Sequence, residues 1–389
     1  MRVAVLHPSL KSFGGAARVC LNFVHVLCNA GYEVTLFTVD KVNWKLLGKV
    51  FGDLPDVNFR ERFLFSRFPR FFSAGIQRFI IALFYFIEVL VVRFFSDYDL
   101  VLVTSGELID FLGDIIYVNA IPFRLTHLFS GAYLGVSPAW KCYSKLYDSL
   151  LRIIGKIDSR GLLLANSRFI KNVLRRFIGR DSLILHPPVN VKRLMNLNGY
   201  LKERCDLVIT VSRFHPGKSL GVILNVAELI DKARFLIVGS SGKRLEENIR
   251  KLETSIETRG LEDKVSLLVD VPFIKLFEAL SKAKIFLHTQ PSEAFGMAVV
   301  EAMAAGCVPV VPRSGGPWID ILGGMQGAYG FSYRDIKEAA EIIKKLLDDD
   351  GLRREIATRA RARALVFDKA VFEKRILEIV EKIYREKFG

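Results

Sequence analysis

The sequence is poor in the residues that build disulfide frameworks and metal centres. Its five cysteines (Cys20, Cys28, Cys142, Cys205 and Cys307) are scattered, odd in number and never spaced C-x-x-C. That excludes a disulfide scaffold and a cysteine zinc site, and it points to a reducing compartment. The six histidines, at 7, 25, 127, 186, 215 and 288, never pair at metal-ligand spacing, and no Ser/His/Asp arrangement can be assembled from them. Acidic residues are scarce, with 41 Asp and Glu against 56 Lys and Arg, a net charge of +15. The excess sits mainly in residues 1–200, which hold 25 basic and 14 acidic residues, against 31 and 27 in residues 201–389. Such a bias suggests contact with anionic lipid or nucleic acid. There is no internal repeat and no low-complexity tract. The start, Met1-Arg2-Val3-Ala4-Val5-Leu6-His7, reads as a first strand rather than a signal peptide.

With 51% hydrophobic residues over 389 positions, the chain has material for two cores, each of a domain of roughly 190 residues. Short apolar runs alternate with helical stretches. Val3–His7, Val34–Thr38, Asp99–Thr104, Ile115–Asn119, Leu162–Asn166 and Leu183–His186 read as strands in the first half, and Ala16–Ala30 as a helix stopped by Gly31. Pro187-Pro188 breaks the pattern, and the irregular stretch Asn196–Cys205 reads as a linker. Leu207–Ser212, Phe235–Gly239, Val265–Val269, Ile285–His288 and Val308–Val311 are the strands of the second half, and Asp335–Lys387 is a long charged, amphipathic helical region. The expectation is an α/β chain of two doubly wound Rossmann-like domains, residues 1–195 and 196–369, with a C-terminal helix at about 370–389 packing back on the first. The two domains are expected to face a central cleft at the carboxyl ends of their strands.

The motifs fall in strand-to-helix loops. Gly14-Gly15 opens the first helix, where glycines let a backbone approach a phosphate, although neither a G-x-G-x-x-G fingerprint nor a P-loop is present. Ser212-Arg213-Phe214-His215-Pro216-Gly217-Lys218 places two cations across a turn, suited to gripping a diphosphate. Ser292-Glu293-Ala294-Phe295-Gly296-Met297 leads into a helix read as about Phe295 to Ala305, with Glu301 about two turns in and free amides near Phe295 to Met297. Read without context, these are also two surface cations, a turn, a helix cap and a solvated glutamate. Ser314-Gly315-Gly316-Pro317-Trp318 again permits close backbone approach, with Trp318 either facing an acceptor or filling the core. His288 reads as a structural residue ending a buried strand.

Residues 61–95 stand apart. Phe63, Phe65, Phe68, Phe71 and Phe72 interleave with Arg62, Arg67 and Arg70 before the apolar run Phe79–Val92, flanked by Arg78 and Arg93 and charged only at Glu88. Fourteen helical residues span about 21 Å, short of a bilayer core of roughly 30 Å. The segment reads as an interfacial helix on anionic lipid, or as a buried core helix; its apolar content argues against nucleic acid.

Together these segments resemble the retaining GT-B glycosyltransferases of glycosyltransferase family four over nearly the whole chain. The resemblance is carried by Gly14-Gly15, Ala165-Asn166-Ser167-Arg168, His186-Pro187-Pro188-Val189-Asn190, Ser212-Arg213 with Lys218, and Glu293-x7-Glu301 followed by Ala302-Met303-Ala304-Ala305-Gly306. The Pro-Pro-Val segment and Ser314-Gly315-Gly316-Pro317 look most like the branch that builds lipid-linked oligosaccharides, which favours a mannosyl donor. The resemblance implies that Arg213 and Lys218 bind the donor diphosphate, Glu301 the ribose hydroxyls and Glu293 the transferred sugar. The amides from Phe295 to Met297, with Gly15, would face phosphate and sugar.

It also implies a nucleoside diphosphate sugar donor, a membrane-borne or lipid-linked acceptor, no nucleic acid, and a cytoplasmic enzyme held at the inner face of a membrane. No metal is expected, since no Asp-x-Asp stands in a suitable loop. The chain departs from the pattern twice. Lys218-Ser219 replaces the usual Lys-Gly or Lys-Asn, and Asn119 stands where many members carry an acceptor-side histidine, with His127 as the other candidate. A sugar-nucleotide epimerase of the same fold, and a non-catalytic lipid- or nucleic-acid-binding protein, are the competing readings.

Overall fold

The computed structural model describes residues 1–11, 14–51, 57–66, 74–105, 112–122, 125, 128–129, 161–197, 204–240 and 246–388, with the side chains of 49–51 and 74–79 excepted. Ser12, Phe13, Arg67, Phe68, Arg70, Phe71, Phe72 and His127 lie outside these residues, as do the side chains of Arg78 and Phe79. The chain divides into two compact units. The first comprises Met1–Leu128, Leu134–Pro188 and Ala370–Gly389, and the second Phe129–Tyr133 and Val189–Lys369.

Unit 1 is built on β1 (Arg2–Leu6), α1 (Gly15–Asn29), β2 (Glu33–Asp40), α2 (Trp44–Phe51), β3 (Arg60–Phe65), α3 (Ala74–Phe95), β4 (Leu100–Val103), β5 (Ile115–Val118), β6 (Leu162–Ala165), α4 (Arg168–Ile178) and β7 (Leu183–Ile184). The strands pair in parallel in the order β3-β2-β1-β4-β5-β6-β7. Because parallel strands are covered on both faces, β1, β4 and β5 are apolar runs with almost no exposed residue. β3, by contrast, is an edge strand on which Arg60, Arg62, Phe63 and Leu64 are exposed. Arg62, Phe63 and Phe65 therefore belong to a strand and not to the interfacial helix expected from their composition. Alternating charge and aromatic residues suit an edge as well as they suit a lipid surface.

The helix begins at Ala74 and runs 22 residues, about 33 Å. It lays Tyr85, Phe86, Val89 and Val92 into the unit and leaves Ile87, Val91, Phe94 and Phe95 exposed. Glu88 is buried on the inward side, 6% exposed with Oε2 unpartnered, and burial pushes its carboxyl up to about 7. No described helix is long and apolar enough to cross a membrane.

Unit 2 is built on α5 (Val191–Leu197), β8 (Cys205–Val211), α6 (Gly221–Glu228), β9 (Arg234–Gly239), α7 (Glu246–Thr258), β10 (Val265–Val269), α8 (Phe273–Lys282), β11 (Ala283–Leu287), α9 (Met297–Ala304), β12 (Val308–Pro312), β13 (Phe331–Tyr333), α10 (Ile336–Asp348) and α11 (Asp350–Ala364). The helical region expected over Asp335–Lys387 consists of three helices. Asp349 caps α11 by accepting from Leu352 N, and a short turn at Leu365–Phe367 separates α11 from α12 (Lys369–Phe388). In α12, Phe372, Ile376, Ile379 and Val380 pack into the core of unit 1, where Phe372 meets Phe23 edge to face. Lys387 Nζ lies 3.2 Å from Asp114 Oδ2 and donates to Asp99 O at 2.8 Å.

The second sheet runs β10-β9-β8-β11-β12-β13, all parallel. Strand order reverses between β8 and β11, so the loops after these strands diverge from neighbouring carboxyl ends. In open α/β sheets this is where ligands bind. The parallel order alone thus brings residues just past 211 beside residues just past 287.

Candidate functional site

The loop after β8 is held by its own backbone. His215 accepts from Gly217 N through Nδ1 (3.1 Å), and Lys218 N donates to His215 O (2.9 Å), closing a tight turn over Pro216–Lys218. Ser219 then takes a left-handed conformation, φ 52 and ψ 39. Gly and Asn reach that region at least cost. The Lys-Gly or Lys-Asn of the family pattern therefore has a backbone reason, and the departure at Ser219 keeps the geometry while adding strain.

The loop after β11 brings Glu293 to meet this turn. Lys218 Nζ donates to Glu293 Oε2 at 2.6 Å, with the two side chains 20% and 19% exposed. Burial works to raise the Glu293 carboxyl, but the charge and hydrogen bond of Lys218, with further charge from Arg213, hold it below the ordinary carboxylate range. Arg213 itself is exposed. Ser212 is half-buried, and its backbone N–H is spent on Val238 O at 2.9 Å.

Glu293 is clamped from the β12 side. Gly316 N donates to Glu293 O (2.8 Å), and Ser314 Oγ accepts from Ser292 N (3.1 Å). A side chain at Gly315, φ 74, would place its Cβ 2.6 Å from Glu293 O. The close approach that these glycines permit is thus an approach to the Glu293 backbone. Ser292 itself has φ 54, so the lysine and the glutamate each adjoin a left-handed serine. Trp318 packs against the unit's core with the Arg313 guanidinium 5.8 Å from its ring, the core-filling alternative.

The helix after Glu293 starts later than its sequence suggests. Gly296, φ 96, is the cap of α9, which begins at Met297, and as a glycine it offers no capping side chain to the first amides. Phe295 lies before the helix, and its buried ring stacks edge to face on Phe367. Glu301, half-buried, is the fifth helical residue, just over one turn in rather than two. The structure thus gathers Lys218 and Glu293, with Arg213 in electrostatic range, near the glycine-capped start of α9. Gly14 and Gly15 belong to unit 1, where Gly14 caps α1 and Gly15, exposed, begins it.

Two residues of the β11 end were not singled out as site residues. Thr289, 3% exposed, donates through Oγ1 to Lys218 O at 2.7 Å. His288, 7% exposed, has Nε2 unpartnered. Burial pushes its imidazole down to about 4; Glu293 opposes that shift and Lys218 adds to it, so it is neutral beside the charged pair at pH 7. A threonine or histidine closing an apolar strand carries no distinguishing sequence signal.

In unit 1, the strand ends carry a polar ladder. Asn166 Nδ2 donates to Asn119 O (2.8 Å), Asn119 Nδ2 to Thr104 O (2.7 Å) and Thr104 Oγ1 to Leu6 O (3.1 Å). His7 Nδ1 shares a hydrogen bond with Thr104 Oγ1 at 2.9 Å. One N–H of Asn119 is therefore committed to the backbone. Among the described residues, no three His, Cys, Asp or Glu side chains gather as a metal site would require.

Comparison with known proteins fits this geometry. Residues 199–363 match the family described as Glycosyl transferases group 1. A human protein named GDP-Man:Man(3)GlcNAc(2)-PP-Dol alpha-1,2-mannosyltransferase is 29% identical over 259 residues, 62% of this chain and 52% of that protein. Its namesake from Dictyostelium discoideum is 26% identical over 262 residues, 63% of this chain and 51% of that protein. The chain spans about half the length of these curated relatives. Among solved structures, HepE of Anabaena in complex with UDP and glucose superposes with a TM-score of 0.71 at 19% identity, over 98% of this chain and 99% of that one. Sucrose-phosphate synthase from Thermosynechococcus elongatus gives 0.76 at 15% identity, over 99% and 100%. The fold is GT-B.

Proposed function

We propose that this chain, whose second unit carries a glycosyl transferases group 1 domain, transfers a hexosyl group from a nucleoside diphosphate sugar to a lipid-linked glycan, with retention at the anomeric carbon. The curated relatives are named for GDP-mannose and a dolichol-linked oligosaccharide, which supports a mannosyl donor and a lipid-borne acceptor. The observation that carries the reading is the Lys218–Glu293 pair, 2.6 Å apart, on the loops that leave β8 and β11.

The chemistry requires a diphosphate to depart from a sugar that becomes oxocarbenium-like. In this reading Lys218 and Arg213 face the diphosphate and absorb its growing charge, with the first amides of α9 adding the positive end of the helix dipole. Glu293 stays ionised, orients Lys218 and accepts from a hydroxyl of the transferred sugar. Glu301 accepts from the ribose hydroxyls. The departing phosphate oxygen takes the proton of the acceptor hydroxyl as the new glycosidic bond forms on the face the phosphate leaves. Metal plays no part in this proposal.

The membrane side of the reading rests on unit 1. Ile87, Val91, Phe94 and Phe95 of α3 are exposed, as are Phe63, Leu64, Arg60 and Arg62 of β3. Apolar and aromatic side chains beside arginines suit an anionic lipid surface, and a cytoplasmic location at the inner face of a membrane belongs to the same proposal.

The test is a screen of nucleoside diphosphate sugars, GDP-mannose included, with products identified by mass spectrometry and the new linkage by NMR. Release of nucleoside diphosphate with an α-linked product is expected. No turnover with any donor, alongside unchanged thermal stability in the presence of every nucleoside diphosphate, overturns the reading.

A further inference from the structure

Lys218 must present its ammonium from a turn that is strained one residue later. Ser219 holds φ 52 without being Gly or Asn, a conformation that persists only where the surroundings over-determine it. Inside the turn, His215 Nδ1, His215 O and Pro216 O each accept a backbone N–H, from Gly217, Lys218 and Ser219 respectively. The carbonyl of Lys218 is anchored from outside the turn, by Thr289 Oγ1, 2.7 Å away and on a residue 3% exposed. Thr289 directly follows His288, whose N–H is tied to Val310 O (2.8 Å) and whose carbonyl accepts from the Tyr333 hydroxyl (2.8 Å). The hydroxyl is thus mounted on a fixed strand end, and it reaches across the strand-order reversal to the residue that pairs with Glu293.

We propose that Thr289 is a positioning residue for donor turnover: its hydroxyl holds the Lys218–Ser219 turn in the strained shape that places the Lys218 ammonium against Glu293 and toward the departing diphosphate. The inference rests on the reading of Lys218 as a diphosphate ligand. The neighbouring strained serine makes it specific. If Thr289 acts by holding Ser219 left-handed, a residue at 219 that prefers that conformation makes Thr289 less necessary.

The experiment compares wild type with Thr289→Val, Thr289→Ser, and Thr289→Val combined with Ser219→Asn. One buried hydrogen bond is a matter of about three- to tenfold. Thr289→Val is expected to lower kcat by that factor with donor KM changed less than twofold. Thr289→Ser, which keeps the hydroxyl and loses the methyl, should retain wild-type kcat, and Ser219→Asn should restore most of the loss in the double variant. Unchanged kcat in Thr289→Val, equal losses in Val and Ser, or no rescue by Ser219→Asn overturns the proposal. Wild-type inactivity with every donor is instead a failure of the glycosyltransferase reading. In that case crystal structures of the Val and Ser variants decide: the Lys218–Glu293 contact is expected to be lost in the former and kept in the latter, and its survival in both overturns the inference.

Discussion

Lys218 and Glu293 stand 75 positions apart in the chain and 2.6 Å apart at their charged ends. Nothing in either loop alone predicts this. The pairing follows from the sheet, because β8 and β11 are neighbours in a parallel order that reverses between them. The glutamate is half-buried, and the cation is what keeps it ionised there.

The first expectation concerns that dependence. Replacing Lys218 by Met removes the nearest charge while burial remains, so the Glu293 carboxyl should titrate higher than in the wild type. Carbon-detected NMR titration of labelled glutamate reads this directly. An unmoved or lowered titration would show that the pair is not what sets the charge of Glu293.

Backbone strain separates two further variants. Ser219→Asn retains the turn with a residue suited to φ 52, and should raise stability by about 1 kcal/mol in chemical unfolding. Gly315→Ala should do the opposite: its Cβ would press against the Glu293 backbone, costing about 1–3 kcal/mol and lowering turnover through displaced Glu293. Activity loss in Gly315→Ala beyond what its stability explains is the informative readout.

Glu88 gives a pH dependence with a definite sign. Its folded carboxyl titrates at about 7 against an ordinary 4.5, so between these values the folded state binds more protons than the unfolded one. The group therefore destabilises progressively as pH rises from 4.5 to 7, and fully above 7. Glu88→Leu should stabilise by about 3 kcal/mol at pH 8 and much less at pH 5, by denaturant unfolding. A pH-independent gain would point to packing rather than charge.

The exposed face of α3 predicts lipid binding. Phe94→Ser with Phe95→Ser should reduce flotation with anionic liposomes about tenfold or more, each apolar side chain contributing about 1.5–3 kcal/mol when buried. Undiminished flotation places the lipid contact elsewhere.

Sequence legibility followed burial. β4, β5, β11 and β12 lie inside parallel sheets, and their apolar runs announced them. β3 did not stand out, because an edge strand needs only one covered face and tolerates Arg62 beside Phe63; β13 is three residues long. The charged and glycine-rich loops were legible one by one, since Arg213, Lys218, Glu293 and Gly315 are costly residue choices without a local purpose. Their mutual geometry was not, because it depends on strand order. Thr289 was hidden altogether: threonine is an ordinary strand former, and only coordinates reveal where its hydroxyl points. The start of α9 slipped by two residues because Gly296, left-handed, delays the helix.

The account depends on Lys218 and Arg213 taking up the charge of a departing diphosphate. The direct measurement is the rate of hexosyl transfer from the preferred donor by wild type, Lys218→Ala and Arg213→Ala, with folding verified for each. The account predicts losses of about 10²–10³ in kcat for each variant, the scale of removing one preorganised electrostatic contact. Wild-type rates in both variants would contradict it.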